Sequence, residues 1–111
     1  MKSPYVYIVV RTDLTLPQQA VQSSHALLEM SRQYSTQSHQ HPSIIILGVK
    51  NEEKLKDTII RLVRHGKIQF TTFQEPDIGD EYTALATVPI YGTDRDFFKD
   101  YRLIDGTSKS K

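Results

Sequence analysis

Hydrophobic side chains recur along this chain in two rhythms, and the switches between them mark its elements. The run YVYIVVR, Tyr5 to Arg11, is β-branched or aromatic at nearly every position, which predicts a central strand buried between two layers. TDLTLP then breaks the run: Thr15 is placed to cap a helix, and Pro17 suits a first turn, where its missing N–H would have gone unpaired anyway. Along PQQAVQSSHALLEMSRQY, the positions Ala20, Val21, Ser24, Leu27, Leu28 and Ser31 recur every three or four residues. They predict a helix with a narrow face of small and aliphatic side chains packed on the sheet.

STQSHQHPS loses every apolar residue and reads as a polar loop. SIIILGV, Ser43 to Val49, predicts a second buried strand, and Asn51 caps a second helix with Glu52 and Glu53 in its first turn. Leu55, Ile59, Leu62 and Val63 form that helix's apolar stripe, and Gly66 closes it. KIQFTTFQE and YTALATVPI read as a third and a fourth strand joined by the turn PDIGDE. Thr93 is a candidate cap for a short C-terminal helix offering Phe97, Phe98 and Tyr101 to the body or to a second subunit, and disorder is expected from Asp105 onward. The fold class is therefore α/β: a three-layer sandwich with a four-stranded mixed sheet in β-α-β-α-β-β order, helices on both faces, one domain over residues 1–104.

Composition narrows the chemistry. The 111 residues contain no cysteine, which excludes disulfides and thiolate catalysis and leaves His, Asp and Glu as metal ligands. His39 and His41 stand two apart in the polar loop without further ligands beside them, so no metal is expected. No nucleotide-binding glycine fingerprint occurs, and no cofactor is expected. MKSPYVYIVV fits neither a signal peptide nor a membrane span, so the cytoplasm is the default location. A formal net charge of +1 argues against a protein that coats polyanions, although Arg61, Arg64, His65 and Lys67 crowd one helix end. Cations favour that end for dipole reasons as well as for binding phosphate.

Ligands in such sheets collect beyond the carboxyl ends of the strands, beside helix N-termini. Arg11, Thr12 and Asp13 at the first strand end, Gln18 and Gln19 in the first helical turn, and Lys50 and Asn51 after the second strand lie there. His25, four residues after Val21 and three before Leu28, shares a side with apolar neighbours and should be partly buried. It is either a packed, hydrogen-bonded core histidine or a functional one paired with a carboxylate, for which Asp13, Glu75 and Asp77 are the candidates. The acidic stretch EPDIGDE has its own two readings, a solvated turn or a catalytic loop.

VVRTDLTLPQQAVQSSHALLEM resembles the N-terminal segment of the type II peptidyl-tRNA hydrolases. HPSIIILGVKNEEKLKDTIIRLVRHGK and TTFQEPDIGDEYTALATVPI are similar to that family's second strand and helix and its C-terminal hairpin, so the likeness spans about residues 5 to 90. It implies a frequently dimeric α/β sandwich acting on the ester between a peptide and the tRNA 3′ end. His25, Gln22, Ser24 and Thr83 match the family pattern directly, while Gln18 stands where the family carries a lysine considered catalytic. The family's aspartate falls at Glu75 or Asp77.

The resemblance thus implies a catalytic set of His25, Glu75, Asp77 and Gln18, with Arg11, Thr12, Asp13, Gln22 and Thr83 binding substrate. Glu75 or Asp77 would orient or deprotonate water, with or without His25 as an intermediary, while Gln18 and a helix N-terminal N–H hold the oxyanion. The competing expectation is a non-catalytic homodimer that keeps the fold to bind tRNA ends, a nucleotide or a protein partner.

Overall fold

The computed structural model describes residues 4–34 and 41–106. His39, most of the polar loop around it and residues 107–111 lie outside these.

Strand β1 (Tyr5–Arg11) is central, as its doubly apolar pattern requires, and all its residues after Tyr5 are buried. It pairs in parallel with β2 (Ser43–Val49) along its whole length and antiparallel with β4 (Glu81–Thr87), which pairs in turn with β3 (Phe70–Glu75). The sheet has five strands in the order β3-β4-β1-β2-β5, not four. The addition is β5 (Arg102–Leu103), antiparallel to the end of β2. A two-residue strand has no period to read, and its approach depends on a missing side chain: a Cβ on Gly48 would lie 3.3 Å from the Ile104 backbone and 2.6 Å from the Thr12 methyl. The fourth strand is also shorter than its apolar run, because Pro89 has no N–H to continue the ladder; Ile90 makes only an isolated bridge to Tyr5.

Helix α1 (Leu16–Gln33) lies on one face, where Ala26 and Met30 pack on Val6, Ile8, Val10, Ala84 and Ala86. Helix α2 (Glu52–His65) covers the other, with Leu55 and Leu62 against Val9, Leu47 and Leu85. The layers are those expected. Both starts follow the cap residues read from the sequence: Thr15 and Gln18 form a reciprocal capping box, and the Asn51 side chain accepts from the Lys54 N–H. Gly66 ends α2 in the left-handed conformation, φ 78°.

The inward face of α1 differs from the expected one. Val21 is 51% and Leu28 67% exposed, Ala20, Ser24 and Ser31 are exposed too, and only Leu27 is half-buried. The buried stripe is Gln19, Gln22, Ser23, Ala26 and Met30, displaced by one residue or about 100° around the helix. The two glutamines of this stripe find partners in the interior: Gln19 donates to the Leu14 carbonyl at 2.8 Å, and Gln22 bridges two strands.

The C-terminal segment corrects two further expectations. Gly92–Phe98 is a 3₁₀ helix preceded by Tyr91, with no side-chain cap, so Thr93 does not serve as one. Phe98 is fully buried and stacks on Tyr7 at 4.4 Å, which commits the aromatic segment to its own chain. Asp105 and Gly106, placed in the expected tail, form a turn closed by the Gly106 N–H to the Leu103 carbonyl. No helix among the described residues is long and apolar enough to cross a membrane.

Candidate functional site

Because β3 runs antiparallel to β4, and β4 antiparallel to β1, the carboxyl ends of β1, β2 and β3 share one edge of the molecule. The turn from Glu75 to Asp80 therefore arrives beside the start of α1. Pro76–Ile78 forms a short 3₁₀ turn, and Gly79 and Asp80 reverse the chain with φ of 74° and 61°. Left-handed backbone suits Gly, and Asp tolerates it better than most residues.

A β-bulge then aims the key side chain. Phe73 pairs with Ala84 but Gln74 with Tyr82, so Thr83 is the extra residue. Its hydroxyl turns toward α1 instead of α2 and donates to Gln22 Oε1 at 2.6 Å. Gln22 Nε2 in turn donates to Glu75 Oε1 at 2.7 Å. The relay is buried at Thr83 and Gln22 and opens at Glu75. Glu75 Oε2 receives only a long contact, 3.4 Å, from the Asp77 N–H. The Gln22 amide, the Asp77 N–H and the nearby His25 together hold the Glu75 carboxyl below the ordinary glutamate value.

These residues border a cavity of about 270 Å³ lined by Gln18, Gln22, Glu75, Asp77 and Thr83 over an apolar wall of Leu14, Pro17, Val21 and Ile78. Five of the expected residues thus converge from three chain segments. The apolar wall was not anticipated; its signal was the exposed hydrophobic positions Val21 and Ile78. The structure separates the two carboxylates, because Glu75 is anchored by an amide whereas Asp77 offers its carboxylate from the exposed turn.

The other expected residues are placed differently. His25 is exposed, neither a core residue nor part of the cavity lining, and its ring stacks on Phe73 at 4.6 Å and 8°. Asp13 is not its partner. Arg11 projects to the α2 face, 7% exposed, and grips Asp13 with two hydrogen bonds of 3.0 and 2.9 Å, Glu81 at 2.6 Å and the Tyr82 carbonyl at 3.1 Å. Thr12 ties the ends of β1 and β2 together through the Val49 carbonyl. Arg11, Thr12 and Asp13 are thus a structural clasp outside the cavity.

The expected oxyanion donors at the helix start are mostly engaged. Pro17 has no N–H, the Gln18 N–H goes to Thr15 Oγ1, the Gln19 N–H goes to the Thr15 carbonyl, and Gln18 Oε1 accepts from the Thr15 N–H. The cavity's amide donors are Gln18 Nε2 and the second N–H of Gln22 Nε2, and no Lys or Arg lines it. The hydroxyl of the cavity lining is also committed, since Thr83 donates to Gln22; Ser24 stands outside this cavity and donates to the Ala20 carbonyl.

A larger, more apolar groove of about 430 Å³ runs along the other flank of α1, over Ile8, Ile44, Ile46 and Ile104, and it is this wall, not the Glu75 cavity, that Gln19 and Ser24 line. Ser23 Oγ is buried there without a partner. Ser23→Ala should therefore raise unfolding stability by roughly 1 kcal/mol, since it removes an unpaired hydroxyl and adds helix propensity. Urea denaturation checks this, and a loss of stability would mean that the hydroxyl is paired.

No protein-family model matches the sequence, nor does any curated protein. Among solved structures, the fold is similar to that of a protein of unknown function from Agrobacterium tumefaciens strain C58, with a TM-score of 0.68 at 12% identity over 93% of this chain and 98% of that one.

Proposed function

We propose that the chain is a hydrolase of the peptidyl-tRNA hydrolase type, cleaving the ester of an acylated tRNA end with a water molecule held by Glu75. The observation that carries this is the relay from Thr83 through Gln22 to Glu75, which fixes one carboxylate oxygen and leaves the other at the cavity. With no cysteine in the chain and the Thr83 hydroxyl of the cavity lining committed to Gln22, water is the nucleophile the cavity can use. Glu75 accepts a proton as water oxygen bonds to the acyl carbon; the ester C–O bond then breaks and the proton leaves on the ribose hydroxyl. The Leu14, Val21 and Ile78 wall accommodates the acyl part, and Gln18 Nε2 donates to the oxyanion. The resemblance also brings with it a homodimer, for which the exposed Leu16, Leu28 and Ile44 side chains offer an apolar surface.

A neutral amide stabilises an oxyanion less than a lysine does, and losing one such donor typically costs on the order of a hundred- to a thousandfold in rate. The wild type is therefore slow, and Gln18→Lys should speed cleavage of N-acetyl-aminoacyl-tRNA by about tenfold or more. The absence of any cation in the cavity lining favours a second reading, a binding domain without turnover. Under that reading Gln18→Lys alone gains activity, or neither protein cleaves.

A further inference from the structure

We propose a phosphate-binding site on the α2 face, formed by Lys50, Lys54 and Arg61. The sequence cluster Arg61, Arg64, His65 and Lys67 does not act as a unit: Arg61 joins the two lysines instead, around a cavity of about 330 Å³. Asp57 is the one carboxylate in that wall, leaving two net positive charges in a chain whose total is +1.

Arg61 is held in place. Its guanidinium lies over the Phe97 ring at 4.7 Å and near the Tyr101 ring at 5.5 Å, and Nη1 donates to the Tyr101 hydroxyl at 2.8 Å. That hydroxyl is 2.8 Å from Thr58 Oγ1, which donates to the Lys54 carbonyl at 3.2 Å. The Tyr101 proton therefore goes to Thr58, and its oxygen accepts from Arg61. A chain of hydrogen bonds running one way orients the guanidinium before any ligand arrives, so little side-chain entropy remains to be lost on binding. The other N–H groups of Arg61 and the two ammonium groups are donors without an acceptor function, which is the donor set a phosphate oxygen fills.

The cavity begins at Val49 and Lys50, the same strand-end edge as the Glu75 cavity but on the opposite face of the sheet. It would supply the phosphate contacts that the acidic cavity lacks. The inference rests on the hydrolase reading only for the carrier of the phosphate, either the backbone of a tRNA end or a small phosphorylated compound.

The test titrates the full-length 15N-labelled protein with 5′-phosphorylated ACCA RNA and, separately, with inorganic pyrophosphate. Shifts should centre on Lys50, Lys54 and Arg61, and RNA affinity should fall with salt at a logarithmic slope near −2, about 0.7 per phosphate contacted. Lys50→Gln/Lys54→Gln should weaken binding about tenfold or more and flatten that slope, whereas Lys67→Gln should not. Binding of pyrophosphate but not RNA, with the same lysine dependence, upholds the site and assigns it a small phosphorylated ligand. Binding that is unchanged in the double variant, shifts centred on Arg64 and Lys67, or no binding of either probe at low salt overturns it. Both lysines lie outside the Glu75 cavity, so failed hydrolysis with intact phosphate binding would remove the hydrolase reading alone.

Discussion

Arg11→Met is expected to destabilise the fold by about 2 kcal/mol, the largest stability effect of any polar substitution considered. The guanidinium is buried and joins Asp13 on the β1 exit, Glu81 at the start of β4 and the Tyr82 carbonyl. Methionine fills the volume but leaves two carboxylates facing each other without a cation. Full burial of the pair would cost more, but the Asp13 and Glu81 side chains are 39% and 44% exposed, so water screens part of the loss. The effect depends on pH. Arg11 holds the Asp13 carboxyl below the ordinary aspartate value, so this stabilisation is fully present above the unfolded-state pKa, about 3.9, and is lost as pH falls through the lower folded value. Urea denaturation of both proteins should show the full gap at neutral pH and a closing gap in acid. An equal gap at every pH would separate the effect from the ion pair.

Glu75→Gln should reduce ester cleavage by on the order of a hundredfold or more, with little change in stability, because the amide keeps the shape and loses the base. The relay makes a second expectation. Gln22 is the foremost cause of the lowered Glu75 value, so Gln22→Met should move the acid limb of the pH–rate profile upward, toward the ordinary carboxylate range. A carboxylate held ionised is ready to accept at neutral pH but is a weak base, which with the neutral Gln18 donor predicts a slow enzyme. If Gln22→Met slowed cleavage without moving the acid limb, the relay would position Glu75 and not set its ionisation.

The scaffold was legible wherever a residue type has one local use. Thr15, Pro17, Asn51 and Gly66 start or end helices where their backbone chemistry says they should, and the doubly apolar Tyr5–Arg11 run is the buried central strand. The inward face of α1 was not legible, since periodicity counts Gln22 as outward-facing and cannot see the Thr83 and Glu75 partners that make its burial tolerable. Thr83 illustrates the same limit: its place in the relay depends on a bulge, a pairing fact that no single strand displays. Arg11 and Asp13 looked like site residues because they stand at a strand end. Their mutual hydrogen bonds and the reach to Glu81, 70 residues away in sequence, use them up in holding the sheet.

Whether a water held by Glu75 cleaves an acyl ester is read out by single-turnover hydrolysis of N-acetyl-aminoacyl-tRNA with enzyme in excess. The acyl-amino acid should be released faster than by spontaneous hydrolysis, at a rate that rises with wild-type concentration, and the acceleration should disappear in Glu75→Gln. Cleavage at the spontaneous rate, or accelerated cleavage that survives in Glu75→Gln, would contradict that role of Glu75.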